Sequence, residues 1–260
     1  MEEEPLINLL SPGKLLNSEE LSSFLINEME MIYIKLSNKQ TERNPKSNIF
    51  IGAHPVSMDK ENMSLLSQHK YLICEKSDGV RYFLMILNDG RFLFHGRNTG
   101  NSFNNKLQFY EFESGYEDYL NEKALNYHQF YGQLKIKYIF DGELIVDKTA
   151  YSTKTNYLIF DTIIYDYNGV YDDAISKSNY VTRLNLANRF LQQLKTIRNL
   201  KKIEENISFK LKDFFNIEDS IFLTDFYFKK LQFHGNMIPK NLIWDCNGFR
   251  DSRYYVIEQY

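Results

Sequence analysis

Apolar residues recur at helical spacing in two stretches of the chain. In residues 18–36 they are Leu21, Phe24, Leu25, Met29 and Ile32, and in residues 182–202 they are Leu184, Ala187, Phe190, Leu191 and Leu194. The first stretch opens with Ser18, Glu19 and Glu20, which suit a helix N-cap and first turn. The second ends in a basic run, which suits the negative end of a helix dipole. Each stretch therefore predicts an amphipathic helix.

Short apolar runs between turn residues predict strands. These runs are Tyr71–Cys74, Val80–Leu87, Arg91–Phe94, Ile136–Val146 and Tyr157–Tyr165. Asn88-Asp89-Gly90 predicts a hairpin between the second and third run. Residues 37–48 are polar and predict a linker, whereas residues 104–133 show only weak helical character. Short strands with hairpin links before a long helix favour an α+β fold with a mainly antiparallel sheet.

Length, charge and cysteine content restrict the class of protein. A chain of 260 residues can bury one sizeable core, or a large and a small domain. Its net charge of -3 excludes a general polyanion binder, so any nucleic acid would be held locally, at an end or in a cleft. Cys74 and Cys246 match no metal-ligand spacing and are expected to be reduced thiols. The acidic start and the lack of an apolar run of about 20 residues predict a soluble intracellular protein without membrane association.

The segment from Glu75 to Arg81 is the strongest candidate for chemistry. Lys76 closes an apolar strand, an Asp-Gly turn follows, and Arg81 opens the next strand. Partial burial and the neighbouring cation Arg81 would favour the neutral, nucleophilic amine of Lys76. Taken by itself, the pattern is equally compatible with an ordinary hairpin whose Lys76 and Arg81 lie in solvent.

The pattern Lys-x-Asp-Gly-x-Arg over residues 76–81 resembles the active-site motif of the covalent nucleotidyltransferases, which comprise capping guanylyltransferases and polynucleotide ligases. Segments resembling further motifs of that superfamily follow in the expected order: Arg97-Asn98, Asp141–Asp147, Tyr157–Asp161 and Phe209–Phe215. The G-x-x-P-V-S lead-in at residues 52–57 and the run C-E-K-S-D-G at residues 74–79 resemble cellular mRNA-capping guanylyltransferases in particular.

This resemblance implies a fold and a division of the chain. The fold would be an α+β nucleotidyltransferase core, ATP-grasp-like, with mainly antiparallel sheets flanked by helices. Residues 1–49 would form an N-terminal helical extension and linker, residues 50–236 the guanylyltransferase domain and residues 237–260 a divergent tail. After Asn236 the family's Asp-Gly-Leu-Ile-Phe segment and its late lysine pair have no counterpart, although Asp245 would be a substitute acid. We therefore expect no complete C-terminal OB-fold, through either truncation or divergence.

The resemblance also assigns roles to individual residues. Lys76 would be the catalytic nucleophile and Phe160 would stack on the purine. Glu143 would bind ribose or a metal ion with support from Asp141, since carboxylates two apart on a strand project from one face. The other nucleotide-binding residues it implies are Glu75, Arg81, Arg97, Lys210 and Lys212. The residue types alone also allow a solvent-facing acidic pair, a core phenylalanine and ordinary surface lysines.

The reaction implied is mRNA 5' capping in the nucleus. GMP would pass from GTP, through a covalent lysine–GMP intermediate, to the 5'-diphosphate end of nascent RNA, with Mg or Mn shielding the phosphates. Partners would include RNA polymerase II and an RNA triphosphatase subunit. Two alternatives stay open: an ATP-dependent polynucleotide ligase of the same superfamily, and a non-catalytic subunit that binds nucleotide or polymerase. The divergence after Asn236 favours the non-catalytic subunit, whereas the Lys76 motif favours an enzyme.

Overall fold

The computed structural model describes residues 12–37, 51–53, 70–75, 77, 79–96, 108–121, 134–148, 153–165, 175, 178–216 and 255–259. The strands are β1 (Lys14–Leu15), β2 (Tyr71–Glu75), β3 (Val80–Leu87), β4 (Phe92–Gly96), β5 (Phe109–Phe112), β6 (Ile136–Lys148), β7 (Thr153–Tyr165), β8 (Ile207–Leu211), β9 (Phe215–Asn216) and β10 (Tyr255–Gln259). The helices are α1 (Glu19–Ser37), α2 (Glu117–Leu120) and α3 (Tyr180–Lys201). The chain divides into a large unit, residues 1–53 and 79–211, and a small unit, residues 54–78 and 212–260.

The large unit contains a seven-stranded sheet in the order β1-β5-β4-β3-β6-β7-β8. Neighbouring strands are antiparallel except for β7 and β8, which are parallel. A parallel pair needs a crossover connection, and α3 lies between these two strands in the sequence. The predicted α+β class with a mainly antiparallel sheet is confirmed. The ATP-grasp-like description and the lack of a complete OB-fold stay predictions.

The sheet of the large unit has an apolar core on each face. Alternation along β3 separates them, because successive side chains of a strand point to opposite faces. Tyr82, Leu84 and Ile86 belong to the core that contains Ala187, Phe190 and Leu194 of α3. Phe83, Met85 and Leu87 belong to the core that contains Leu21, Leu25, Met29 and Ile32 of α1. The continuous apolar run of β3 is thus explained by burial on both faces.

Both predicted helices are confirmed to within two residues at each end. The Asn179 side chain caps α3 by accepting a hydrogen bond from the Thr182 amide at 2.8 Å, and Lys202 ends it in a left-handed conformation. α1 buries its apolar stripe in the core and is therefore integral to the large unit, although its residues fall in the predicted extension. Within the described segments, neither long helix has an apolar stretch sufficient to cross a bilayer.

The ambiguous segment 104–133 contains strand β5 and the short helix α2. Phe109 and Phe112 are the buried residues of β5, while the two residues between them are only half-buried. A spacing of three between buried aromatics resembles a helical repeat, which explains why the sequence pattern did not reveal this strand.

The small unit contains a three-stranded antiparallel sheet in the order β10-β2-β9. Its central strand, β2, leads directly to Lys76 in the sequence and carries the buried thiol of Cys74. Residues 255–259, which fall in the predicted tail, pair along the whole of β2. The predicted segment boundaries after residues 49 and 236 stay predictions.

Candidate functional site

One row of cross-strand neighbours in the large unit contains three of the predicted site residues. Arg81 on β3 lies opposite Glu143 on β6, Glu143 lies opposite Leu158 on β7, and Leu158 lies opposite Lys210 on β8. Directly opposed residues of a sheet present their side chains on the same face. By alternation this is the face that carries Phe83, the face of the α1 core. The register therefore brings Arg81, Glu143 and Lys210 to one face of the sheet.

Arg81 is held by a buried carboxylate. Its Nε donates to Asp141 Oδ1 at 2.9 Å and its Nη2 donates to Asp141 Oδ2 at 2.5 Å, while Nη2 also donates to the Ala53 carbonyl at 2.9 Å. The Asp141 side chain is 1% exposed and that of Arg81 is 22% exposed. Bidentate contacts of this kind fix the plane of a guanidinium as well as its position. Ala53 is the second residue of the predicted lead-in, and its carbonyl also orients Arg81.

Burial raises the pKa of Asp141 to about 6. The hydrogen bonds and charge of Arg81 act in the opposite direction, and the nearby charge of Asp161 adds to the increase. Desolvation of the carboxylate therefore outweighs the favourable contact with Arg81. Asp141 and Asp161 are paired across β6 and β7, and each carboxylate forms an ion pair with one arginine, Arg81 and Arg183 respectively.

Glu143 binds the backbone of the Lys-x-Asp-Gly-x-Arg motif. Its Oε1 accepts a hydrogen bond from the Gly79 amide at 3.0 Å. A Cβ atom at Gly79 would lie 2.3 Å from the Leu144 carbonyl oxygen and 2.7 Å from Ile145 Cγ2, so no larger residue fits this turn. The acidic strand motif thus packs directly against the glycine of the lysine motif.

Gly142, between the two carboxylates, is required by close packing against Tyr157, which belongs to the core on the other face of the sheet. A Cβ atom there would lie 2.5 Å from the Tyr157 ring and 2.7 Å from the Leu158 carbonyl oxygen. The hydroxyl of Tyr157 is fully buried and donates to the carbonyl oxygens of Tyr82 at 2.7 Å and Phe140 at 3.2 Å. Tyr157 therefore links the strands that carry Arg81 and Glu143.

Phe160 occupies a β-bulge beside Arg81. Gly142 pairs with Ile159 and Asp141 pairs with Asp161, so Phe160 is the extra residue of β7. The Arg81 guanidinium carbon lies 5.1 Å from the centre of the Phe160 ring. Phe160 is half-buried, and neither described core cluster contains it. This environment differs from that of a core phenylalanine and places an aromatic face next to a fixed cation.

Sequence reasoning missed two residues that are bonded to β7 at Phe160 and Asp161, namely Tyr180 and Arg183. Arg183 donates from Nε to Asp161 Oδ1 at 2.7 Å, and its guanidinium carbon lies 5.2 Å from the centre of the Tyr180 ring. The Tyr180 hydroxyl donates to the Phe160 carbonyl. The one signal in the sequence is Arg183 itself, because a cation in the first turn of a helix is disfavoured by the dipole unless an acid compensates it.

Of the remaining predicted site residues, some lie outside the part of the chain that the structure describes and others lie within it. Lys76 and Arg97 lie outside the described residues, as does the side chain of Glu75. Lys210 is exposed, whereas Lys212, just beyond the end of β8, is 7% exposed. The two lysines therefore lie in different environments, and their roles stay predictions.

The two predicted metal ligands, Asp141 and Glu143, both accept hydrogen bonds from the protein. Both oxygens of Asp141 accept hydrogen bonds from Arg81, and the metal-binding role of Asp141 stays a prediction. The described residues contain no cluster of three or more His, Cys, Asp or Glu side chains suited to a metal ion. Glu143 is the other predicted ligand, and its Oε1 is already bound to the Gly79 amide.

Comparison with known proteins gives consistent matches. The mRNA capping enzyme, catalytic domain, family model matches residues 22–238, a range that begins inside α1. The chain is 32% identical over 119 residues to the mRNA-capping enzyme subunit alpha of Schizosaccharomyces pombe. The aligned region covers 45% of this chain and 27% of that protein. It is 30% identical over 182 residues to the mRNA-capping enzyme of Mus musculus, covering 70% of this chain and 28% of that protein. It is 28% identical over 169 residues to the mRNA-capping enzyme of Danio rerio, covering 65% of this chain and 25% of that protein.

The aligned regions amount to about a quarter of the length of these curated relatives. The family model, by contrast, covers most of this chain and includes every predicted site residue. Of the motifs that suggested the resemblance, the sheet register brings Arg81, Glu143 and Lys210 to one face. The chain belongs to the family of mRNA capping enzyme catalytic domains.

Proposed function

We propose that this chain carries out the guanylyltransferase step of mRNA capping. The neutral Lys76 amine attacks the α-phosphorus of GTP, a P–N bond forms and the amine loses a proton to solvent, while the P–O bond to the β-phosphate breaks and pyrophosphate leaves. In the second step an oxygen of the RNA 5'-diphosphate end attacks the same phosphorus, the P–N bond breaks and the lysine amine takes up a proton. One observation carries the proposal: Glu143 binds the amide of Gly79, three residues after Lys76, in the same row as Arg81.

The described residues support nucleotide binding in two ways. A guanidinium that a buried carboxylate already holds needs little reorganisation when an anionic ligand arrives, which is the condition for effective electrostatic stabilisation. The half-buried ring of Phe160 offers a surface for a purine, and base–aromatic stacking is worth roughly 1–3 kcal/mol. We assign Arg81 to the ribose or phosphates and Phe160 to the base.

Adduct formation with radiolabelled GTP tests the proposal. The chain should acquire a label from α-labelled GTP but none from γ-labelled GTP, and Lys76→Ala should abolish labelling. Lys70→Ala is a matched control, because Lys70 is an exposed lysine just before β2 in the same chain, and labelling should be unchanged. Persistent labelling of Lys76→Ala would contradict the proposal.

The same experiment separates the alternatives. Labelling by ATP instead of GTP would indicate a polynucleotide ligase. Equilibrium binding of GTP without any adduct would indicate a non-catalytic subunit. The family and the names of the relatives favour capping over ligation.

Partners, cofactor and location follow from the same proposal. The Schizosaccharomyces pombe relative is named as a subunit of a capping enzyme, and we propose that this chain acts with an RNA triphosphatase subunit and RNA polymerase II in the nucleus. A divalent cation, Mg or Mn, is proposed to accompany GTP, with Glu143 as the candidate contact. Dependence of adduct formation on added Mg or Mn after treatment with a chelator tests this point.

A further inference from the structure

Strand β7 departs from regular pairing with β6 on both sides of Asp161. The register passes from Ile159 to Asp161 and then from Thr162 to Ile164, so Phe160 and Ile163 are the extra residues of two bulges. A bulge bends its strand and redirects the side chain of the extra residue. The direction of the Phe160 ring therefore depends on what holds the strand at this point.

The first turn of α3 holds β7 at Phe160 through hydrogen bonds. The Tyr180 hydroxyl donates to the Phe160 carbonyl, and the Arg183 guanidinium donates to both carboxylate oxygens of Asp161, at 2.7 and 3.3 Å. The Thr162 hydroxyl donates to the Arg183 carbonyl at 2.7 Å. Three consecutive residues of β7 are thus bonded to two residues of one helical turn.

These contacts are buried and linked to each other. Tyr180, Asp161 and Thr162 are all buried, and hydrogen bonds in such surroundings are stronger and more costly to lose than those in water. The Arg183 guanidinium lies over the Tyr180 ring at 5.2 Å, so the two anchors support one another. Arg183 also donates to the Ser178 carbonyl at 2.8 Å, which ties it to the start of the helix.

We propose that Tyr180, Arg183 and Asp161 are positioning residues for Phe160, and that the start of α3 sets the orientation of the ring on which the purine stacks. The inference rests on the proposed function, because it assumes that Phe160 contacts the base. These three residues would influence base binding without contacting the ligand themselves. Although the Phe160 ring lies beside the Arg81 guanidinium, Asp141 holds Arg81 through two hydrogen bonds, so displacement of the ring should affect the contact with the base and not the contact with the phosphates.

Equilibrium binding tests the inference without requiring catalysis. The dissociation constants of GTP and of inorganic tripolyphosphate are measured for the wild-type chain and for Tyr180→Phe, which removes only the hydroxyl group. We expect the Kd for GTP to rise about fivefold, a part of the whole stacking contribution, while the Kd for tripolyphosphate stays unchanged because it has no base to stack. An equal loss for both ligands, or no loss for either, would overturn the inference.

Tyr116→Phe is a matched control. Tyr116 is buried to the same degree as Tyr180, and its hydroxyl donates to Glu205 Oε1 at 2.5 Å, a residue outside β7. Both variants should lower the free energy of unfolding, but only Tyr180→Phe should weaken GTP binding. A purely structural role for Tyr180 predicts that the two variants behave alike.

A double-mutant cycle with Phe160→Leu completes the test. If Tyr180 acts through the ring, Tyr180→Phe should add nothing once Phe160 is replaced. Additive losses would refute the positioning role. If the wild-type chain binds GTP and the cycle is additive, only this inference fails, whereas a wild-type chain that binds no GTP contradicts the proposed function itself.

Discussion

Arg81 binds Asp141 through both carboxylate oxygens, diagonally across the pairing of β3 with β6. Asp141 is almost fully buried, so its charge depends on this one guanidinium and on the surrounding polar groups. Removing one partner of a buried pair leaves an uncompensated charge, which costs more than the pair itself contributes. Replacement of Arg81 alone should therefore have a large and measurable effect on stability.

Arg81→Lys should destabilise the chain by about 3 kcal/mol, because an ammonium cannot reproduce the bidentate contact and leaves Asp141 poorly compensated. Chemical denaturation measures the change. Arg91→Lys is the matched control, since Arg91 pairs with Asp89 at 2.6 Å, the two side chains are 33% and 19% exposed, and the variant should lose less than about 1 kcal/mol. Equal losses for the two variants would show that burial of Asp141 has no such effect.

The raised pKa of Asp141 predicts a specific pH dependence. Because the folded-state pKa is about 6, above the ordinary value for an aspartate, the folded chain keeps this proton longer than the unfolded chain. The contribution of Asp141 to stability is therefore fully present below the unfolded-state pKa and is lost as the pH rises through 6.

Asp141→Asn isolates this effect. The difference in unfolding free energy between variant and wild type should shift in favour of the variant by about 1–3 kcal/mol between pH 4 and pH 7.5. Denaturation of both proteins across that range measures it. A difference that does not vary with pH would contradict the raised pKa.

The sequence was sufficient to predict much of this site. Two carboxylates separated by one residue on a strand must share a face, and the structure confirms that Asp141 and Glu143 do so through their contacts with Arg81 and Gly79. The antiparallel sheet and both long helices also followed from periodicity. These features depend on local spacing, which a single sequence contains.

Other features depend on pairing between distant segments and were not predictable. The opposition of Arg81 and Glu143 is set by the register of β3 against β6, across 62 residues of sequence separation (143 − 81). The bulge at Phe160 is bonded to Tyr180 and Arg183, which belong to a helix with no detectable motif. Strand β5 was missed because only its two end residues are buried.

Glu143→Gln should separate the two roles of this carboxylate. Glutamine keeps an oxygen that accepts from the Gly79 amide, so the free energy of unfolding should change by less than about 1 kcal/mol. If the negative charge contacts ribose or a cation, adduct formation with GTP should nevertheless fall by about tenfold or more. Glu113→Gln, at an exposed surface position, should leave both quantities unchanged. Full activity of Glu143→Gln would restrict Glu143 to a structural role.

Leu25→Ala tests whether α1 is an integral part of the large unit. Leu25 is fully buried against the sheet, and truncation of such a leucine leaves a cavity that costs roughly 2–5 kcal/mol. Met31→Ala is the control on the same helix, because the Met31 side chain is 49% exposed and its loss should cost less than about 1 kcal/mol. Both variants are compared by chemical denaturation of the whole chain, followed by fluorescence. If α1 were a separate extension, Leu25→Ala would leave the main unfolding transition unchanged. A loss of several kcal/mol in that transition would instead show that residues 19–37 and the site-bearing sheet unfold together.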